Sequence, residues 1–404
     1  MNRIVLIGNG FDLAHGLPTR YEDFIDWYWG KRAYGFNGTI SNISKDILCE
    51  FEIIQPHTWN EFAFQSSLPT LKVSGKEVIE HIKNNPNLFK IHPSAFYDRI
   101  CHSIETKGWV DIENEYYVQL TNLIKAESSD KKLSDLNNQL DYITQLLAAY
   151  LNSIETSNQV QPIANIYSHI YSPIKPCDLS VCSRSILNNY IADCVCQGED
   201  NMREKAKRYG IDPHDYIEEI KHYHQVNDSL YYIEIPRLYM LPDNILLLSF
   251  NYTSTSKMYL RGPVCFNIQI HGEINHPEKM IFGYGDEFDN LYSTLKEHSS
   301  KECLRNIKTT KYLESDNYRS VLSFIESAPF QVYIMGHSCG NSDRTLLNTL
   351  FEHSNCISIK PFYYIKNDGK DNYFDIIQNI SRNFTDMKLM RDRVVNKTYC
   401  EPLT

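Results

Sequence analysis

The sequence predicts an α/β protein with a doubly wound, mostly parallel, Rossmann-like sheet and a large helical insertion. Continuous apolar runs that end in glycine or polar residues lie near both ends of the chain. This pattern is typical of strands buried on both faces of a parallel sheet. Between them, helical periodicity replaces the apolar runs. We therefore predict a Rossmann-like domain from residues 1–30 plus 243–404, and a mainly helical insertion or lid domain from residues 31–242.

The first strand is predicted over residues 3–8, where the run Arg-Ile-Val-Leu-Ile ends at Gly8. Apolar residues at helical spacing then predict a helix over residues 13–29, with Pro18 accommodated in its first turn. In the middle segment a heptad-like seam predicts one long helix, which packs in a bundle or, alternatively, dimerises as a coiled coil in a homo-oligomer. The seam consists of Leu133, Leu136, Leu140, Ile143, Leu147, Tyr150 and Ile154.

Strand patterns return after residue 243. They are predicted over residues 244–250, 266–271, 279–283, 331–336 and 356–365. A helix is predicted over residues 345–352, and the segment 288–326 is predicted to be largely helical. Strand–loop–helix units at both ends of the chain indicate an α/β layer architecture.

Composition narrows the class of protein. Hydrophobic residues make up 42% of the chain and charged residues 22%, which excludes global disorder. The net charge of −10 disfavours binding to nucleic acid, because such binding usually needs a basic surface. The chain has no apolar run long enough to span a membrane, and its N-terminal run is too short for a signal peptide. We therefore expect a cytoplasmic protein that does not bind membranes.

Cysteine usage does not predict a metal site. An odd count of 11 cysteines at irregular spacing is typical of reduced thiols rather than a disulfide framework. The densest cluster consists of Cys177, Cys182, Cys194 and Cys196, followed downstream by His222 and His224. Its gaps do not match the paired spacing of structural zinc sites. We predict no bound metal.

A glycine-rich turn, Gly8-Asn9-Gly10-Phe11-Asp12, follows the first strand and precedes the first helix. Glycines at such a place allow the backbone to approach a phosphate closely, beside the N–H groups of the helix. The turn lacks the third glycine of the common dinucleotide fingerprint, since Leu13 takes that place. A tight strand-to-helix turn without a ligand is the alternative.

The longer pattern resembles the sirtuin fingerprint. The sirtuin fingerprint is G-A-G-x-S, then three residues, then G-I-P. This chain has the same spacing, with residues 8–12, then three residues, then Gly16-Leu17-Pro18. Three further stretches follow in sirtuin order. Residues 249–253 resemble the T-Q-N-I-D element, 270–272 the H-G element and 336–338 the G-T-S element. This resemblance implies binding of NAD as a substrate and cleavage of its nicotinamide–ribose bond.

Two departures from the sirtuin pattern matter for the activity. Asp12 replaces the serine of the fingerprint, which places a carboxylate near the phosphates or the ribose. This carboxylate either repels NAD or stabilises positive charge on the ribose. The acyl-lysine cleft and the four-cysteine zinc ribbon have no clear counterpart, which argues against deacylation.

The whole chain resembles the AbiH family of bacterial abortive-infection proteins over roughly residues 1–355. The stretches that carry this resemblance are 8–19, 109–113, 250–253, 270–272 and 336–338. It implies phage defence. Together the two resemblances suggest that a phage-derived trigger activates hydrolysis of NAD to nicotinamide and ADP-ribose.

The sirtuin resemblance implies a set of residues that line the NAD site. They are Gly8, Asn9, Gly10, Phe11, Asp12, His15, Pro18, Gly336, His337 and Ser338. Cleavage of an N-glycosidic bond needs an oriented water and compensation of positive charge on the sugar. We expect Asn251 to orient water, His271 to act as a general base and Asp12 to compensate charge.

Structural roles are the alternatives at several of these positions. Asn251 could be a turn residue and His271 a hydrogen-bonded residue at a strand end. Ser342 or Asp343 is expected to cap the next helix, and for Asp343 capping is the favoured role. Asp111, Glu113 and Glu115 are expected mainly to anchor the helical insertion to the sheet, with a catalytic role for Glu113 as the alternative.

Two other functions are compatible with the sequence. One is a hydrolase or transferase acting on a different nucleotide, with Asp12 binding a metal. The other is a non-catalytic nucleotide-binding sensor or interaction protein.

Overall fold

The computed structural model describes residues 1–34, 43–53, 84, 86–87, 89–197, 199–212, 235–366 and 368–404. The strands in this part of the chain are β1 Asn2–Ile7, β2 Ile43–Lys45, β3 Cys49–Ile53, β4 Phe89–Pro93, β5 Ile245–Ser249, β6 Cys265–Gln269, β7 Phe330–Met335 and β8 Cys356–Phe362. The first helices are α1 Asn9–Ala14, α2 Tyr21–Tyr34, α3 Ala95–Lys107, α4 Ile112–Lys125, α5 Asp130–Ser157, α6 Ala164–Ile170, α7 Val181–Cys196 and α8 Glu199–Arg208. The later helices are α9 Arg237–Met240, α10 Asn290–Glu297, α11 Lys308–Lys311, α12 Asn317–Ser327, α13 Arg344–Phe351, α14 Tyr373–Arg382 and α15 Met387–Arg393.

A five-stranded parallel sheet with the order β6-β5-β1-β7-β8 forms the centre of the Rossmann-like part. The first strand is central, and Ile4 pairs with Leu246 of β5 on one side and Val332 of β7 on the other. If only the strands of this sheet are numbered in chain order, their order across the sheet is 3-2-1-4-5. The direction of this order changes between β1 and β7, as it does in dinucleotide-binding folds. The predicted α/β class and its Rossmann-like sheet are confirmed.

Both faces of this sheet are buried. Val5 and Ile7 belong to a hydrophobic core that also contains residues of α6 and α7, such as Ile166 and Leu187. Successive side chains of a strand point to opposite faces, and Ile4, on the other face, is also fully buried. Burial on both faces explains the four-residue apolar runs within β1, β5 and β7.

The described residues form two compact units. The Rossmann-like unit comprises Met1–Leu17, Gln159–Glu273 and Tyr312–Thr404, and the second unit comprises Pro18–Asn158 and Ile274–Lys311. This grouping has different bounds from the predicted domains, because α6 and α7 share a core with the sheet.

The second unit is mainly helical and contains a small antiparallel sheet. Helix α5 buries the predicted apolar seam, from Leu133 to Tyr150, along one face. The sheet has the order β2-β3-β4. The sequence analysis did not predict these three strands, because they are short and contain charged residues, as in Cys-Glu-Phe-Glu-Ile of β3.

Two local predictions are wrong. The helix predicted over residues 13–29 is two helices, α1 and α2, separated by residues 15–20. Gly16 adopts a left-handed conformation with φ +78°, and Pro18 follows it, so the backbone leaves the helical path. The strand predicted over residues 279–283 is not formed, and Pro277–Lys279 is a short 3₁₀ turn instead.

Candidate functional site

The candidate site is built from the carboxyl ends of four parallel strands. Gly8 directly follows β1, Asn251 follows β5, His271 follows β6, and Gly336 follows β7. Because the strands are parallel, these residues lie at one edge of the sheet. The strand order reverses at this edge between β1 and β7, and ligands of open α/β sheets bind at such a point.

Asn251 connects the ends of β5 and β1. Its side-chain Nδ2 donates to the carbonyl oxygen of Gly8 at 3.0 Å, which fixes the orientation of the half-buried amide. In the part of the chain that the structure describes, no residue donates a hydrogen bond to Asn251 Oδ1. The amide oxygen therefore has capacity to accept a bond from a water or a hydroxyl group.

His271 is buried between aromatic and acidic side chains. Its Nε2 lies 3.2 Å from the hydroxyl oxygen of Tyr312 and 3.3 Å from Asp343 Oδ1. The ring of Phe250 meets the imidazole edge-on, with ring centroids 5.3 Å apart. The imidazole is therefore held by polar contacts at Nε2 and by packing against its ring.

Asp343 lies between two histidines. Its Oδ1 is 3.3 Å from His271 Nε2, and its Oδ2 is 3.7 Å from His337 Nε2. His337 Nδ1 accepts from the backbone N–H of Cys339 at 3.0 Å. Since Nδ1 is an acceptor, the ring proton of neutral His337 is on Nε2 and faces the carboxylate.

Asp343 takes the predicted N-cap position of α13, but its side chain makes no capping hydrogen bond. Instead its carboxylate, with only a tenth of the side chain exposed, lies against the two imidazoles. A carboxylate beside histidines can fix their tautomers and stabilise an imidazolium ion, as in hydrolase triads.

The glycines of the site bring two loops into backbone contact. A Cβ atom on Gly336 would lie 2.1 Å from the backbone nitrogen of Phe11, and one on Gly8 would lie 2.5 Å from His337 Cα. Gly10 N donates to the carbonyl oxygen of Gly336 at 2.8 Å. The observed reason for these glycines is thus contact between the loops after β1 and β7, and their predicted role in binding a cofactor stays a prediction.

Asp12 is buried beneath the turn. Its Oδ2 accepts a 2.6 Å hydrogen bond from the hydroxyl of Thr253, and the residue is 1% exposed. This bond joins α1 to the loop that carries Asn251. The contact makes Asp12 a positioning residue for Asn251, while a direct role in charge compensation stays a prediction.

The remaining predicted binding residues lie in different surroundings. Asn9 and Ser338 are exposed, and Asn379 Nδ2 donates to the Ser338 carbonyl oxygen at 2.8 Å. Phe11 is fully buried in the core. Pro18 belongs to the second unit, where its carbonyl oxygen accepts from the Tyr150 hydroxyl at 2.6 Å.

His15 packs within the Rossmann-like unit. Its Nδ1 lies 2.7 Å from the carbonyl oxygen of Phe11, and its Nε2 lies 2.7 Å from the hydroxyl oxygen of Tyr259. Burial lowers the pKa of His15, and the hydrogen bond with the Phe11 carbonyl opposes this effect.

We expect His15 to make stability depend on pH. The unfolded chain takes up a proton at His15 as the pH falls through about 6.5, while the folded chain takes it up only at a lower pH. Stability is therefore lost as the pH falls through this window. The decrease in melting temperature from pH 7.5 to 5.5 should be smaller in His15→Gln than in the parent. The control variant His276→Gln changes an exposed histidine and should show the same decrease in melting temperature as the parent. The parental decrease in His15→Gln would contradict the prediction.

The acidic segment before and within α4 has structural partners in the second unit. Asp111 caps α4 by accepting from the backbone N–H of Asn114 at 3.0 Å. Glu115 accepts hydrogen bonds from Arg99 and Ser103. Glu113 forms a buried ion pair at 3.0 Å with Lys308, which is 1% exposed. All three residues therefore have structural partners inside the second unit, and a role in anchoring the insertion to the sheet stays a prediction.

The described cysteines are all free thiols. Over the described ranges, no group of three or more histidine, cysteine, aspartate or glutamate side chains is arranged to hold a metal ion. His222 and His224 lie outside the described residues. No helix among the described residues combines the length and apolar character needed to cross a bilayer.

The fold and the site define a class of protein, a Rossmann-like α/β protein with a buried His–Asp–His cluster at the switch point of its sheet. Residues 4–364 match the family model described as bacteriophage abortive infection AbiH. The chain therefore belongs to the AbiH family, which is associated with phage defence by abortive infection. Comparisons with curated proteins and with solved structures found no significant match.

Proposed function

We propose that this protein hydrolyses the nicotinamide–ribose bond of NAD during phage infection, giving nicotinamide and ADP-ribose. The observation that carries the proposal is the convergence of Asn251, His271 and the Gly8–Gly10 turn at one edge of the sheet. Phe250 links them further, because its ring lies 5.3 Å from that of His271 and 4.1 Å from that of His337. The sirtuin-like order of the same motifs along the chain also supports it.

In the proposed reaction water attacks C1′ of the nicotinamide ribose, and the bond from C1′ to the pyridine nitrogen breaks. The bonding electrons stay with nicotinamide, which leaves as a neutral molecule. Asn251 Oδ1 accepts a hydrogen bond from the water or from a ribose hydroxyl. His271 takes the proton that the water loses.

Asp343 has a positioning role in this proposal. Its carboxylate holds the proton of His271 on Nε2, where Tyr312 also makes contact. The basic nitrogen of the neutral imidazole is then Nδ1. Protonation of Nδ1 creates an imidazolium ion that the neighbouring carboxylate stabilises.

The direct test is release of nicotinamide from NAD by the purified protein, alone and after addition of lysate from phage-infected cells. We expect release by the parent in at least the second condition and at least about a hundredfold less by Asn251→Ala. Intact NAD in infected cells that the parent protects would contradict the proposal. Equal nicotinamide release by the parent and by Asn251→Ala would contradict the proposed role of Asn251.

A second prediction concerns the buried carboxylate. Asp343→Asn should lower the rate of NAD cleavage by at least about tenfold, because an amide neither stabilises the imidazolium ion nor holds the same tautomer. The rate of nicotinamide release under saturating NAD is the measurement. Asp375→Asn, the same change at an exposed aspartate of α14 in the same unit, should retain the parental rate. A parental rate in Asp343→Asn would remove the carboxylate from the mechanism.

A further inference from the structure

A cavity of about 650 Å³ lies in the Rossmann-like unit away from the site described above. Its lining does not include Asn251, His271 or His337. Pockets for small molecules typically have volumes of roughly 300–1,000 Å³ and mainly apolar walls with a few polar groups. The lining residues that matter here are Tyr167, Tyr171, Tyr209, Arg237, Leu238 and Arg261.

Arg261 is a cation held in place at this cavity. Its Nη2 donates to the carbonyl oxygen of Tyr209 at 2.5 Å, and its guanidinium carbon lies 5.8 Å from the centre of the Tyr171 ring. Among the described residues, no carboxylate forms an ion pair with this guanidinium group. The group therefore keeps donors for an anion and needs little reorganisation to bind one.

The tyrosines present ring surface to the cavity. The hydroxyl of Tyr171 donates to the carbonyl oxygen of Tyr259 at 2.7 Å, and that of Tyr209 donates to the carbonyl oxygen of Pro242 at 2.6 Å. These bonds hold both hydroxyls within the protein. Tyr167 is half-buried, and its ring lies 4.8 Å from that of Tyr171. A planar ligand can stack on such a surface.

We propose that this cavity is a second ligand site, which binds a small anion carrying a planar ring, of the mononucleotide class. The guanidinium group of Arg261 takes the negative charge. The tyrosine rings and Leu238 take the planar group. The site is independent of the proposed NAD cleavage, because no residue assigned to that reaction lines the cavity.

Three probes separate the two parts of the proposed ligand. AMP carries a ring and a phosphate, adenosine carries only the ring, and ribose 5-phosphate carries only the charge. Isothermal titration of the full-length protein should show binding of AMP at least about tenfold tighter than either fragment, since charge-assisted bonds and stacking both contribute. Equal affinity for AMP and adenosine, or for AMP and ribose 5-phosphate, would overturn the assignment.

Variants locate the binding site. Ala164 lines the cavity and is exposed, so Ala164→Trp should fill the space without disturbing the core. We expect at least about a tenfold loss of AMP affinity in Ala164→Trp and in Arg261→Gln. Arg319→Gln changes an exposed arginine of α12 outside the cavity and should bind AMP as the parent does. Parental AMP affinity in Ala164→Trp would show that AMP binds elsewhere and would overturn the inference.

Discussion

Replacing His271 with alanine is expected to lower the rate of NAD cleavage by a factor of about 10²–10⁴, the usual contribution of a general acid or base. The change removes the group that accepts the proton from water. It also removes one imidazole partner of the buried Asp343 carboxylate. The measurement is nicotinamide release by the purified variant, compared with the parent under the activating condition.

His353 provides a matched control for this experiment. It belongs to the same unit and lies in the turn before β8, at the amino edge of the sheet, where its Nε2 is 3.2 Å from Glu326 Oε1. His353→Ala should cleave NAD at the parental rate. A parental rate in His271→Ala would exclude His271 as the base, whereas a large loss in His353→Ala would indicate a general effect of losing a histidine.

Gly336→Ala should destabilise the protein by about 2–5 kcal/mol, through backbone strain and overpacking together. Gly336 has φ +74°, and an added Cβ would lie 2.1 Å from the Phe11 nitrogen and 2.5 Å from the Gly10 carbonyl carbon. Backbone atoms cannot move aside as a flexible side chain would. Urea unfolding curves of the parent and the variant give the change in the free energy of unfolding.

Gly369→Ala separates strain from overpacking. Gly369 has a similar φ of +79°, but nothing lies within 4 Å of its added Cβ. The control should therefore lose only about 1 kcal/mol, the cost of the left-handed conformation. An equal loss in both variants would contradict the close contact between the loops after β1 and β7.

The Rossmann-like sheet was predictable because burial on both faces leaves a direct trace in the sequence. β1, β5, β7 and β8 are buried along their whole length. Each of β1, β5 and β7 contains a run of four apolar residues, whereas β8 also buries Ser358 and Lys360. The antiparallel sheet was not predicted, because long apolar runs indicate only strands that are buried on both faces. Strand β3 instead alternates, since Cys49 and Phe51 are buried and Glu50 and Glu52 are not, and this alternation is typical of a strand buried on one face.

Much of the candidate site was predictable from the resemblance to sirtuin motifs. That resemblance pointed to the stretches with Asn251, His271 and His337, and each of these residues follows a strand of the parallel sheet, where open α/β sheets bind ligands. It did not select Asp343, because capping is the usual role of an aspartate before a helix and the direction of a side chain depends on tertiary packing. Its place in the loop that carries His337 was a usable signal.

The central position of β1 has a consequence for synthesis of the chain. β1 is made before its neighbours in the sheet, since β5 and β7 begin only at Ile245 and Phe330. During synthesis this apolar strand therefore stays unpaired until partners more than two hundred residues further along the chain have been made. Pairing between such distant segments is slow, and exposed apolar strands favour assistance by chaperones. A nascent chain interrupted before residue 330 lacks both His337 and Asp343, so premature termination yields no complete copy of the proposed catalytic site.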